Sequence, residues 1–340
     1  MRKFLLALSA LFLPVVLLTA QPELRGPFII MTMPYTDDGA VDYEVLAAEA
    51  AYLDDCGVSG MLYASDHHLV SYDEWKKGLL AVIEVMKDRK AVLGAVCNGE
   101  TTEDMVERCR FAEKAAKKAK MKNFVLFGRP ADNLRTLNGL LESLNAIGEA
   151  IHTPYIYQTW LHNKFPRIPA SQMAELARKY PGVFGYVKCE VPGTDVNNYM
   201  AQMNAYRPDI KSVFSAWGSW QWLYQWRQFH TDGVISQRPA YADTYAKIWQ
   251  EMEKGDPDGK VDPAFAAVLS MLMLRSSISA PDEHRSYHLY VLCKRGVFKN
   301  MVSRVKDDKD PRGYHLHTQE LTPEQIAEVE LRFAALQKAI

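Results

Sequence analysis

Apolar runs recur along the chain, separated by stretches in which apolar positions return every three or four residues. The runs are FIIMTM (28–33), GMLYA (60–64), AVLGAV (91–96), NFVLF (123–127), PYIYQ (154–158), FGYVK (184–188), KSVF (211–214) and GVIS (233–236). They are too short for core helices and lack the apolar/polar alternation of a half-exposed sheet, which predicts strands buried on both faces of a parallel sheet. Each is followed by a helical pattern. After the first strand, Asp42 is a candidate cap, Val45, Ala48, Tyr52, Leu53 and Cys56 share a face, and Gly57 is a stop. A second helix begins at Thr101 or Thr102, with Met105, Cys109, Ala112, Ala116 and Ala119 as its inward stripe and Lys and Glu on a solvated face.

Eight strand-helix units predict a closed (β/α)8 TIM barrel. The competing doubly wound sheet usually carries a glycine-rich first turn, and MTMPYTDDG after the first strand is not G-x-G-x-x-G. From about Val261 the pattern is helical, ending in TPEQIAEVELRFAALQKA, where Thr322 caps and Pro323 takes the first helical position. The expected organisation is a signal segment over 1–20, a barrel over 26–255 and a C-terminal helical extension over 256–340 packed on the barrel.

The N-terminus departs from the barrel pattern. Arg2 and Lys3 precede an uncharged run from Phe4 to Ala20, interrupted by Pro14. A charged start, an apolar middle and a small-residue end predict a cleaved secretory signal and a periplasmic or secreted protein. The alternative is an uncleaved membrane anchor. A formal net charge of −1 with no long basic run argues against nucleic acid and acidic lipid as partners. Cys56, Cys97, Cys109, Cys189 and Cys293 are an odd, scattered set without a C-x-x-C, which predicts neither a disulfide framework nor a zinc site but small core residues.

Functional groups in such a barrel gather at the carboxyl ends of the strands. Lys188 ends the sixth strand, Tyr157 lies at the end of the fifth, Ser65, Asp66, His67 and His68 follow the second, Asn98 follows the third and Ser236 ends the eighth. Burial disfavours a charged lysine and makes a neutral, nucleophilic amine available. The alternative is a structural ion pair with Glu190 or Asp195.

Several segments resemble the dihydrodipicolinate synthase and N-acetylneuraminate lyase family. GPFIIMTMPYTDDGAVDYEVLAAEAAYLDDCGVSGML is similar to its opening, VLGAVCNGETTED to its third-strand G-x-x-x-N-x-T, and PYIYQTW to its Y-N-x-P segment. GYVKCE is similar to its lysine strand, GVISQRPAY to its eighth strand and LCKRGVFKNMVSR to its late K-x-x-G helix, so the resemblance runs from about Gly26 to near the C-terminus. It implies a barrel with a helical extension, a dimer or tetramer, no cofactor and a small-molecule substrate. Lys188 then takes the place of the Schiff-base lysine and Tyr157 that of the proton-relaying tyrosine, with Ser65, Asp66, Asn98 and Ser236 as substrate contacts.

The pattern breaks at the second strand, where YASDHHLVSYDEW replaces the family's G-T-T-G-E, and Asp66 would repel a substrate carboxylate unless protonated or paired. LFGRPAD lacks the tyrosine that follows the family's fourth strand, and YQTW lacks its proline. These departures and the export signal favour a lyase or hydro-lyase acting on a 2-oxo sugar acid or a similar carbonyl compound. Two alternatives stay open. One is a metal-dependent hydrolase using His67, His68 and Asp66, with His162 as a further ligand, although adjacent histidines on an extended segment point opposite ways. The other is a carbohydrate-binding barrel using Trp217, Trp220, Trp222, Tyr224 and Trp226, which otherwise serve as helix core and subunit contacts. His315 and His317 are expected on a surface loop.

Overall fold

The structure is a computed structural model that describes residues 24–63, 67–159, 166–190, 195–216, 220–254, 284–318 and 320–339. The signal segment, Ser65, Asp66, His162 and Trp217 lie outside the described residues.

Eight parallel strands form a closed barrel: β1 (Gly26–Ile30), β2 (Gly60–Tyr63), β3 (Val92–Val96), β4 (Phe124–Gly128), β5 (Tyr155–Gln158), β6 (Tyr186–Cys189), β7 (Ser212–Ser215) and β8 (Gly233–Ser236). Neighbours pair in sequence order, and β8 closes on β1 with Phe28 opposite Ile235. All eight apolar runs therefore form the strands expected of them. Seven helices connect them: α1 (Tyr43–Asp55), α2 (Tyr72–Met86), α3 (Thr102–Lys118), α4 (Leu137–Ala150), α5 (Ala170–Lys179), α6 (Asp195–Asn204) and α7 (Trp220–Phe229), and α8 (Ala242–Lys254) follows β8.

Strand alternation sorts the side chains into two cores. Phe28, Ile30, Leu62, Val92, Val96, Val125, Phe127, Ile156, Tyr186, Phe214 and Ile235 fill the barrel, with Phe28 and Phe214 edge to face at 5.3 Å. Leu24 joins this inner core, and its carbonyl accepts a hydrogen bond from the Ser212 hydroxyl at 2.8 Å. The residues between them, including Tyr155, Tyr157, Val187, Cys189, Val213 and Val234, face outward into the layer shared with the helices.

Local chemistry sets the helix starts. The Asp42 carboxylate accepts from the Val45 amide at 3.0 Å, and Gly57, at φ +81, follows the last turn. The predicted face of α1 is rotated by one position: Ala48 is exposed and Glu49 is fully buried. Glu49 turns inward because one carboxylate oxygen accepts from the Thr32 amide, at 2.9 Å, beyond the end of β1. Helix α3 starts with a reciprocal cap between Thr101 and Asp104 and buries Met105, Cys109, Ala112 and Ala116 as expected. All five cysteines are free, and Cys97, Cys109 and Cys189 are buried.

The C-terminal extension differs from the helical expectation. It contains α9 (His284–Lys294) and α10 (Pro323–Ala339), but between them an antiparallel hairpin, β9 (Val302–Lys306) with β10 (Tyr314–Thr318). His315 and His317 are exposed as expected, yet they sit on a strand and share one of its faces. Arg304 of β9 is 3% exposed and anchors the hairpin. Its guanidinium donates to Glu74 through two nitrogens, at 2.7 and 3.1 Å, and to the carbonyls of Leu69 and Gly39. Tyr35 and Tyr314 lie against it. This contact joins a hairpin late in the chain to the loops that leave β1 and β2.

Candidate active site

A cavity of about 480 Å³ opens at the carboxyl ends of the strands. Its wall is built by inward-facing residues at the strand ends, among them Ile30, Val96, Asn98, Phe127, Arg129 and Gln158, and its far side by Ser303 and Arg304 of β9 and His288 of α9. The hairpin and α9 thus complete a chamber that the barrel alone would leave open.

Lys188 faces the barrel interior, because Tyr186 of the same strand does and the two are separated by one residue. It is 4% exposed. Its ammonium group lies 2.8 Å from a carboxylate oxygen of Glu190, which also accepts from the Gln158 side-chain amide at 2.5 Å. Gln158 is the register partner of Lys188 on β5, and Nζ lies 5.9 Å from the centre of the Phe127 ring. Gln158 and Phe127 line the cavity, so the amine sits against its wall behind a carboxylate and an amide. The Thr159 hydroxyl fixes this corner by accepting from the Glu190 backbone N–H at 2.7 Å and donating to the Lys188 carbonyl at 3.2 Å.

Two expected site residues are turned away from this chamber. Tyr157 pairs in register with Val187 and lies in the outer core, where burial pushes its hydroxyl well above the usual range. A residue on the outer face of β5 cannot pass a proton to an amine on the inner face of β6. Gln158 holds the inward position instead. Ser236 shows the same one-residue displacement: Ile235 is inward, the Ser236 hydroxyl bonds to the Tyr245 hydroxyl of α8 at 2.8 Å, and Gln237 reaches the cavity. Asn98 does line the cavity, where its side-chain oxygen accepts from the Arg129 amide at 3.1 Å.

Beside this corner, the loops that follow β2, β3 and β4 bring His67, His68, Glu100 and Asp132 together. His67 and His68 lie in a turn rather than an extended segment, so their rings do not point apart and lie 4.1 Å centre to centre. Burial raises the Asp132 carboxyl, but the Arg129 guanidinium, aided by His67, holds it below its ordinary value.

In the aromatic segment Tyr224 is exposed, while two tryptophans turn inward. Trp222 is fully buried and stacks on Tyr245 and Trp249, and Trp226 packs against the outer core.

No protein-family model matches the chain. The 4-hydroxy-tetrahydrodipicolinate synthase of Haloarcula marismortui is 25% identical over 167 residues, 48% of this chain and 52% of that protein. The enzyme of the same name from Symbiobacterium thermophilum is 26% identical over 163 residues, 47% of this chain and 53% of that protein. The chain is thus similar, at low identity, to curated 4-hydroxy-tetrahydrodipicolinate synthases. It spans about half the length of the curated relatives it matches. Solved structures of the family share the fold. A putative dihydrodipicolinate synthetase from Pseudomonas aeruginosa superposes with a TM-score of 0.71 at 17% identity, covering 93% of this chain and 99% of that one. An N-acetylneuraminate lyase from Fusobacterium nucleatum gives 0.70 at 16% identity, covering 92% and 98%.

The sequence runs end β5 and β8 where the structure does, at Gln158 and Ser236, but the face differs: Tyr157 and Ser236 are expected in the chamber, whereas Gln158 and Gln237 line it and Asn98 does so as expected. The inward parity of Ile156 and Ile235 was the available signal for Gln158 and Gln237. Arg304, His288, Glu100 and Asp132 are brought in from elsewhere in the chain by the barrel and its hairpin, and no local pattern announces them.

Proposed function

We propose that the chain is a lyase that forms a Schiff base between Lys188 and a 2-oxo acid or a 2-oxo sugar acid. The observation that carries this reading is the inward-facing, buried lysine whose amine touches a carboxylate at the wall of the cavity. Glu190 takes the proton relay that the family resemblance gave to a tyrosine. A proton passes from Nζ to Glu190 across 2.8 Å, and the neutral amine adds to the substrate carbonyl carbon. Glu190 returns that proton to the alkoxide, giving the carbinolamine hydroxyl, then takes a second proton from the cationic nitrogen and passes it to the hydroxyl, which leaves as water as the C=N bond forms. The resulting iminium accepts the electron pair of the adjacent carbon–carbon or carbon–hydrogen bond as that bond breaks. Gln158 holds Glu190 in place through its amide. Asn98 contributes its side-chain NH2 to the cavity, since its oxygen is occupied by the Arg129 amide. We also propose that the protein acts after export, on the strength of the N-terminal charged and apolar pattern.

The test is turnover: release of pyruvate or loss of the 2-oxo group is followed for a panel of 2-oxo acids and 2-oxo sugar acids. Lys188→Ala is expected to lower the rate by about 10³-fold or more, and Glu190→Gln by about 10² to 10⁴. A substrate turned over equally well by Lys188→Ala would end the Schiff-base reading.

A further inference from the structure

The four side chains gathered at the rim aim donor atoms at one another from three loops. The Nε2 atoms of His67 and His68 converge on a single oxygen, Oδ2 of Asp132, at 2.9 and 3.1 Å. The other ring nitrogen of His68, Nδ1, lies 3.0 Å from Oε1 of Glu100. This geometry suits a cation between the rings and Asp132: the Nε2 lone pairs of both histidines and Oδ2 point at one place, and His68 Nδ1–H donates to Glu100.

We propose that His67 Nε2, His68 Nε2 and Asp132 Oδ2 hold a divalent transition-metal ion at the rim of the cavity, with Glu100 orienting His68 and open coordination positions facing the chamber. The distances fit. Metal–nitrogen and metal–oxygen bonds of about 2.0 to 2.2 Å in a tetrahedron separate ligand atoms by roughly 3.3 Å, so each histidine needs to draw back from Asp132 Oδ2 by only a few tenths of an ångström. All four candidate ligand atoms already lie within 4.8 Å of one another. Arg129 engages the other oxygen of Asp132, which leaves Oδ2 directed at the histidines. The loops are tied together as well, since the amides of Asp132 and Asn133 donate to the carbonyls of Gly99 and Glu100 at 3.2 and 3.0 Å.

Two imidazoles and one carboxylate select zinc, iron(II), cobalt or manganese over calcium and magnesium, and three protein ligands leave room for an exogenous one. Both histidines line the cavity, so that position faces its contents. It would take an oxygen donor of the occupant, a hydroxyl or a carboxylate. The ion also supplies positive charge at the rim, where the second-strand loop lacks the hydroxyl pair expected by family resemblance. The site itself does not depend on Lys188 being a nucleophile.

The experiment is titration of the chelator-treated full chain with Co2+, read by its visible ligand-field absorption, followed by displacement with Zn2+. The expected result is one ion per chain, with the absorption lost in His67→Ala and Asp132→Ala. Glu100→Gln, an exposed position that tests orientation rather than ligation, is expected to weaken binding about 10- to 100-fold. Lys188→Ala is expected to bind the metal as the parent does, which separates failure of this site from failure of the lyase reading. A folded parent protein that gives no cobalt absorption and retains no zinc overturns the proposal. So does unchanged affinity in folded His67→Ala and Asp132→Ala. If those two variants do not fold, the parent titration and Glu100→Gln decide, and unchanged affinity in Glu100→Gln removes the assigned geometry.

Discussion

Breaking the Lys188–Glu190 pair from either side, and then from both, measures how strongly the corner is coupled. Lys188→Met keeps the length and apolar bulk of the side chain but leaves the Glu190 carboxylate, among the described residues, with the Gln158 amide alone. Glu190→Gln keeps the shape but leaves an ammonium whose side chain is 5% exposed. At 2.8 Å the direct attraction is about 6 kcal/mol for an effective dielectric of about 20. Desolvation of both ions offsets most of it, yet removing one partner of a buried pair typically costs about 3 to 5 kcal/mol. Because the Glu190 side chain is 18% exposed and water can reach it, each single variant is expected to lose about 2 to 3 kcal/mol. The double variant Lys188→Met/Glu190→Gln leaves no uncompensated charge and should lose about 2 kcal/mol less than the sum of the two singles. Urea unfolding followed by tryptophan fluorescence reads all four proteins. A double variant whose loss equals the sum of the singles within about 0.5 kcal/mol would refute the coupling on which the proton relay rests.

The remaining expectations concern the inner faces, the hairpin and the buried acid. Tyr157→Phe should leave turnover within about threefold, whereas Gln158→Leu, which frees Glu190 from its amide donor, should lower it by about 10-fold or more; the opposite order, read by steady-state rates, would restore the tyrosine relay. Arg304→Met strands Glu74 and two loop carbonyls, and should cost about 2 to 4 kcal/mol by urea unfolding together with faster proteolysis at the β9–β10 hairpin; unchanged stability would show that the hairpin is held by other contacts. Burial places the Glu49 carboxyl well above 4.5 in the folded protein. Its contribution to stability is therefore full below about pH 4.5 and is lost progressively as pH rises toward the folded value, because the unfolded chain ionises first. Glu49→Gln should raise the unfolding midpoint at pH 7 and flatten its decline above pH 4.5, and an unchanged pH profile would show that the buried carboxyl already ionises freely.

The barrel was legible because its signals are local. Eight short apolar runs, each buried on both faces, and caps such as Asp42 and Thr101 are set by neighbours within a few residues. Lys188 stood out for the same reason, as a charged residue closing an apolar strand. The errors arose where an answer required knowing the face of a strand. Tyr157 and Gln158 are both plausible last residues of β5, and only the barrel interior, with Ile156 inward, assigns the chamber to Gln158. Glu49 was hidden because a helical face is read from apolar residues, and its reason for burial is the Thr32 amide on another element. The hairpin reads as part of a helical extension with a loop at 315–317 because VSRVK and YHLHT are short and mixed, and their pairing is secured by Arg304 reaching loops more than two hundred residues earlier. The rim cluster is the extreme case, since its members come from three separate loops.

The most direct test of the central claim is chemical trapping. The full chain is incubated with pyruvate and with a panel of 2-oxo sugar acids under borohydride, then digested and mapped by mass spectrometry, with Lys188→Ala alongside. The account predicts a reduced adduct on Lys188 for at least one compound and none at that site in the variant. A folded parent protein that gives no Lys188 adduct with any of them, or whose adducts fall only on other lysines, would contradict it.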